Sequence, residues 1–382
     1  MNSIDTTRTT SADDMYAALK QRLGDVVPDF ELRQKAEVAA EINRLKADRG
    51  AVILGHNYME PALFHSVCDF KGDSLELSRL AAEAEGDPIV FCGVRFMAET
   101  AKILSPHKKV LLPTARGGCS LAESITGEDV RRLKETYPGV PVVTYVNTYA
   151  DVKAETDVCC TSSNAVEIVE SLDSDRVIFL PDEYLARNVA RETGKTIIVP
   201  TRDPAKARVA ARGNGDAATS GTGETAGSGG TGEPTYHMIG WHGRCEVHEE
   251  FTPEDVAAVR KQFPDVFVLA HPECSPEVVE AADYSGSTSA MIQAVQDADA
   301  ERYLLLTECS MADNIVAENP EKEMVRLCSV RCPHMAEITL ENVRDALLHD
   351  HFEVDVPEPT RTRARRAIDR MLEISYGIRS GA

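Results

Sequence analysis

Apolar residues along this chain come in short bursts, each closed by polar residues and followed by a stretch whose apolar positions recur every three or four residues. The bursts are rich in Val, Ile and Leu with little polar alternation, as expected of parallel strands buried on both faces between helices. They fall into three sets of three. AVILGHNYMEPALF from Ala51, VPVVTYVNTYADVK from Val140 and VFVLAHPECSPEVV from Val266 form the first. DPIVFCGVRFMAETAKIL from Asp87, TDVCCTSSNAVEIVESL from Thr156 and ADYSGSTSAMIQAVQD from Ala282 form the second. KKVLLPTARGGCSLAESI from Lys108, DRVIFLPDEYLARNVARE from Asp175 and ERYLLLTECSMADNIVAE from Glu301 form the third. The pattern predicts an α/β fold of three homologous αβα units, each with a three-stranded parallel sheet, arranged with pseudo-threefold symmetry around a central site.

The first-strand anchors His56, Asn147 and His271 are separated by 91 and 124 residues, so roughly 33 residues are inserted between the second and third units. The tract 203–235 supplies them: it is built of Gly, Ser, Thr and Ala and holds almost no large apolar residue. Such composition cannot bury enough surface to offset its ordering entropy, and a mobile loop is expected. Its glycines are not a phosphate cradle, because no Gly-Lys-Ser/Thr follows them. The expected organisation is an amino-terminal tail or helix at 1–35, unit one at 36–118 with a carboxy-terminal helix at 340–382 packing back on it, unit two at 119–202, the insert at 203–235 and unit three at 236–339.

Sixty-two acidic against forty-one basic residues leave a formal charge of −21, which argues against a nucleic acid partner. With 28 arginines and 13 lysines, the acid-rich, lysine-poor composition resembles proteins of salt-loving microbes and suggests a halophilic archaeal source. No apolar run approaches the roughly 18 residues that span a bilayer, and the start MNSIDTTRTTSADDMY has neither a basic nor an apolar segment. A cytoplasmic protein without membrane contact is expected.

Ten cysteines in such a chain point to metal or redox chemistry more than to a disulfide framework. Cys68, Cys92, Cys159 and Cys160 lie in or beside apolar runs and read as core. Cys274 and Cys309 follow strand ends directly. Cys119, Cys245 and Cys332 sit in small or polar contexts, ARGGCSLAES, GWHGRCEVHEEFT and RCPHMAEIT, far apart in sequence yet each placed where a repeat about one axis brings it inward. Spacing alone leaves buried thiols and a shared metal both open for this trio.

The segments GHNYMEP, GDSLELSR, GVRFMAETAKIL, GGCSLAES, TYVNTYADVKAETD, TSSNAVEIV, GRCEVHEEFT, HPECSPEV, STSAMI and CPHMAEITLENV, in that order, resemble the quinolinate synthase family over roughly 37–375. The resemblance implies three αβα units about a pseudo-threefold axis. It also implies one [4Fe–4S] cluster per chain held by Cys119, Cys245 and Cys332, with the fourth iron open as a Lewis acid. The implied reaction condenses iminoaspartate with dihydroxyacetone phosphate in de novo NAD biosynthesis, with a functional link to an aspartate oxidase or dehydrogenase.

Carried over by motif, His56, Tyr58, His271 and Glu273 are the expected catalytic groups, and each also contacts substrate or lies beside it. Tyr145 and Asn147 are expected to bind substrate from unit two, and His248 from beside Cys245. Ser74, Ser162 and Thr288 each open a helix-like run and are expected to hold carboxylates or phosphate, although capping alone explains such residues. Without the resemblance, turn residues and a surface ion pair account for the same His, Tyr and Glu positions. Met97 and Lys102 read as packing and surface residues. Two features depart from the family pattern: Ser289 stands where glycine is expected, and the long insert falls just before the strand leading to Cys245. In addition, Cys328 lies close to Cys332 as a thiol that can compete for iron or form a regulatory disulfide. A cluster-dependent hydro-lyase and a non-enzymatic iron–sulfur or zinc scaffold are the alternatives.

Overall fold

The computed structural model describes residues 11–200, 236–325 and 330–377. The insert and Cys328 lie outside the described residues. Among the described residues, thirteen strands form three sheets in which every strand pairing is parallel. The first holds β1 (Val52–His56), β2 (Phe70–Gly72), β3 (Ile89–Cys92) and β4 (Val110–Leu111) in the order β2-β1-β3-β4. The second holds β5 (Val142–Tyr145), β6 (Val158–Cys160), β7 (Val177–Leu180), β8 (Ile197–Ile198) and β9 (Met238–Ile239) in the order β6-β5-β7-β9-β8. The third holds β10 (Phe267–Ala270), β11 (Tyr284–Ser285), β12 (Arg302–Leu306) and β13 (Glu323–Val325) in the order β11-β10-β12-β13.

Three α/β units are therefore present, but their sheets have four, five and four strands instead of three. The additional strands also shift the repeat. By position in its sheet, β2 matches β6 and β11, so the run at Asp87 belongs with those at Asp175 and Glu301, and the run at Lys108 is a fourth strand. Met238–Ile239 hydrogen-bonds with β7 and β8, so the strand that follows the insert belongs to the second sheet and not to a third unit starting at 236.

The fourth position of each sheet explains the cysteines. Cys119 follows β4, Cys245 follows β9 and Cys332 follows β13. Each stands seven residues before a threonine, Thr126, Thr252 and Thr339, whose hydroxyl caps a ten-residue helix, at 127–136, 253–262 and 340–349. In the first two a reciprocal capping box with Asp129 or Asp255 completes the start.

The central strands are buried almost end to end, and each fully buried Leu, Ile or Val contributes about 1.5–3 kcal/mol. Helices 12–23, 29–49 and 340–349 join the core of the first sheet. The final helix, Glu358–Tyr376, instead buries Ala364, Ala367, Ile368, Met371 and Leu372 against the second unit. The same helix also touches unit one, where Arg365 donates to the carbonyls of Ile103 and Leu104. No helix among the described residues is long and apolar enough to cross a membrane.

Candidate active site

Parallel strands place their carboxyl ends on one side of each sheet, where α/β proteins build their sites. Here a cavity of about 70 Å³, open to solvent at its mouth, collects side chains from all three units. His56, Tyr58, Tyr145, Asn147, His271 and Glu273 enter it from the ends of β1, β5 and β10. Ser74, Ser162, Thr288 and His248 line it too, as do Cys119, Cys245 and Cys332. Every residue expected from the sequence is brought together.

Glu273 is the buried charge of this cavity. Its Oε1 accepts from Asn147 Nδ2 at 3.1 Å and its Oε2 lies 2.7 Å from His248 Nδ1, while Tyr145 also hydrogen-bonds the carboxylate. Burial pushes its pKa up, but His248, His271 and the Tyr145 hydroxyl override that and hold it below the usual carboxylate range. His248 Nε2 is 3.0 Å from Thr307 Oγ1, which is itself 2.5 Å from the Tyr58 hydroxyl. The ring of His248 stacks on His271 at 4.4 Å.

Two of the histidines share a local geometry. The Tyr58 amide donates to His56 Nδ1 at 3.2 Å, and the Glu273 amide donates to His271 Nδ1 at 3.3 Å. A ring nitrogen that accepts carries no proton, so the neutral imidazole holds its hydrogen on Nε2. Burial lowers the pKa of His56 to about 4 and that of His271 to about 3, and the neutral form prevails at pH 7. Both rings are therefore N–H donors, and Ser162 Oγ lies 3.4 Å from His271 Nε2.

The hydroxyl residues are held by a carboxylate that the motif reading passed over. Asp73 caps helix 74–83 with Oδ1, accepting from the amides of Leu75 and Glu76, while Oδ2 accepts from Ser163 of the second unit at 2.9 Å and Ser287 of the third at 3.0 Å. One side chain thus ties all three units together beside Ser74, Ser162 and Thr288. Ser74 and Thr288 are first helical residues whose caps are Asp73 and Ser287, whereas Ser162 lies in the turn before the helix at 165–170. Asn57 donates to Thr288 Oγ1 at 2.9 Å and to Ser289 Oγ at 3.3 Å, which gives the unexpected serine a partner. Met97 lines the cavity and is not mere packing; Lys102 is buried and bonds the carbonyl of Lys108. An Asp one residue before a helix start is a legible cap signal, so Asp73 could have been found; Thr307 carried no sequence signal.

The three cysteines are free thiols at partly exposed positions. Burial raises Cys119 to about 12 and Cys332 to about 11, and Cys245 well above the usual range. Cys119 is raised further by Cys332, and Cys245 by Cys119, so the thiols sense one another's charge. Only a cation can hold three such thiolates together. Yet among the described residues the only donors all within 4.8 Å of one another are those of Cys245, His248 and Glu273. The three sulfurs are therefore spread more widely than a single ion holds its ligands, as suits a group with several metal corners. Cys68, Cys92, Cys159, Cys160 and Cys274 are buried, as core cysteines should be.

Residues 40–373 match a family model described as Quinolinate synthetase A protein. Quinolinate synthase of Sinorhizobium fredii is 48% identical over 358 residues, covering 94% of this chain and 88% of that protein. That of Caulobacter vibrioides is 48% identical over 91% of this chain and 84% of its own length, and that of Xylella fastidiosa 49% over 87% and 86%. These relatives are bacterial and lend no support to an archaeal source. With a match running through all three sheets and every segment that lines the cavity, the chain belongs to the quinolinate synthetase A family.

Proposed function

We propose that the chain condenses iminoaspartate with dihydroxyacetone phosphate to give quinolinate, phosphate and water, in the cytoplasm, for de novo NAD biosynthesis. An aspartate oxidase or dehydrogenase supplies the iminoaspartate. The observation that carries this reading is the cavity itself, where three thiols, the hydroxyls of Ser74, Ser162 and Thr288 and a His–Glu pair from three units face one another. Cys119, Cys245 and Cys332 would hold one [4Fe–4S] cluster per chain. Three ligands for four irons leave one coordination position open, and when bound the group supplies a Lewis acid.

The protein's own groups account for the rest of the chemistry. Both substrates carry negative charge, which the Nε2–H groups of His56 and His271 and the hydroxyls of Ser74, Ser162 and Thr288 receive without adding a full positive charge. Tyr58, Thr307, His248 and Glu273 form a continuous relay from the cavity to a buried carboxylate. A proton leaving a substrate carbon passes to His248, and the Glu273 charge stabilises the imidazolium that results. Asn147 and Tyr145 keep that carboxylate oriented.

Anaerobic reconstitution followed by a product assay tests the proposal. About four irons per chain and a broad absorbance near 400 nm are expected, with quinolinate formed from fresh iminoaspartate and the triose phosphate. A single zinc with no colour would overturn the cluster, and loaded protein that makes no quinolinate would overturn the substrates.

A further inference from the structure

The Cys245, His248 and Glu273 side chains bring their donor atoms within 4.8 Å of one another, and this trio is not the three-cysteine set. His248 Nε2 is occupied by Thr307, while its buried Nδ1 faces Glu273 Oε2 at 2.7 Å. Glu273 Oε1 is occupied by Asn147, so Oε2 is the oxygen turned toward His248. Both residues are only 2% exposed, so bulk water does not reach the paired atoms. Outer partners that fix the far atom of a histidine and of a carboxylate, leaving the near atoms convergent, are how proteins orient metal ligands.

The local chain supports the same reading. Cys245 and His248 are three residues apart on one turn, closed by the Glu249 amide donating to the Cys245 carbonyl at 3.0 Å, and Glu273 arrives from the third unit. One thiolate, one neutral imidazole and one carboxylate carry two negative charges, which a divalent ion neutralises in a buried setting. Three mixed soft and hard ligands with a fourth position for water suit zinc.

We propose that the protein without its iron–sulfur group binds one zinc ion through Cys245 Sγ, His248 Nδ1 and Glu273 Oε2, with water as fourth ligand. Binding releases the thiol proton of Cys245 to solvent and involves no redox change. Because Cys245 is also one of the three thiols assigned to the cluster, the inference rests on that reading for its consequence: zinc and cluster exclude one another. Zinc then acts as a competitor of cluster assembly.

Cobalt(II) added anaerobically to the full-length, cluster-free protein provides the probe. A near-ultraviolet sulfur-to-cobalt band with the intensity of one thiolate should appear and be bleached by stoichiometric zinc. Cys119→Ser and Cys332→Ser should leave the band and affinity unchanged, while His248→Ala and the isosteric Glu273→Gln weaken binding. Asn147→Ala, which loosens the carboxylate, should weaken it about tenfold. Zinc-loaded protein should take up no iron until the zinc is chelated. A band of three-thiolate intensity, its loss in Cys119→Ser or Cys332→Ser, or no band at all would overturn the site. Circular dichroism identifies any variant that has not folded. Quinolinate formation by separately reconstituted protein reports independently on the catalytic reading.

Discussion

Asp73→Ala removes a side chain that touches all three units. Four hydrogen bonds disappear: two from the amides of Leu75 and Glu76 and two from the hydroxyls of Ser163 and Ser287. Loss of the helix cap costs about 1 kcal/mol. Each hydroxyl bond to the carboxylate is worth about 1.5–3 kcal/mol. Asp73 is 8% exposed, so water can recover little, and the expected loss is about 4–7 kcal/mol. Asp73→Asn should lose only about 1–2 kcal/mol, because its amide oxygen keeps the cap and its nitrogen can still donate to one serine. Urea unfolding of the metal-free chains measures both. In the reconstituted enzyme the alanine variant should raise KM for both substrates while iron content stays at the parent level, since Ser74, Ser162 and Thr288 lose their common anchor but the cysteines do not. A loss below about 1 kcal/mol, or an asparagine variant as damaged as alanine, would show that the three units are joined elsewhere and that the carboxylate is incidental.

Alanine at Cys119, Cys245 or Cys332 should abolish iron binding, whereas Cys92→Ala in the buried third strand should lower stability and keep the iron, as metal analysis of reconstituted protein will show. His65 is buried, and burial with Lys71 and Arg22 lowers its pKa to about 2, so its neutral form is the folded one. Stability linked to it is complete above the unfolded pKa near 6.5 and declines by about 1.4 kcal/mol per pH unit below it. Parent and His65→Asn unfolding midpoints compared from pH 7 to pH 5 should converge as the pH falls. Lys153 is fully buried and donates to the carbonyls of Val146 and Thr148 on either side of Asn147. Lys153→Met should lose about 2–3 kcal/mol by stranding those carbonyls and raise KM more than it lowers iron content.

The threefold plan was legible because the central strands are uninterrupted apolar runs, and runs of that kind admit few other readings. The shift by one strand in the first unit has a physical cause. β2 is three residues long, its Phe70 is exposed and its remaining positions are Lys and Gly, so it carries no hydrophobic signature and is held by pairing with β1. The regular distance from each cysteine to its capping threonine was present in the sequence and would have placed all three fourth strands correctly. Where the last helix docks was not legible, since an amphipathic pattern says which face is buried but not against what. The site residues were visible through their motifs. Thr307 was not, because a threonine after a strand has many uses and only the fold reveals that it stands between Tyr58 and His248.

The placement of one thiol after each sheet has a consequence for the order of events during synthesis. Domains fold as the chain emerges, amino-terminal parts first. Yet the cores of the first two sheets include residues of helices 340–349 and 358–376, which follow Cys332, so neither core is complete until the last corner of the metal site has been made. Loading is an act of the finished chain. A chain truncated just before Cys332 lacks those two helices together with the third thiol, and is expected to lose its packing and its metal site at once.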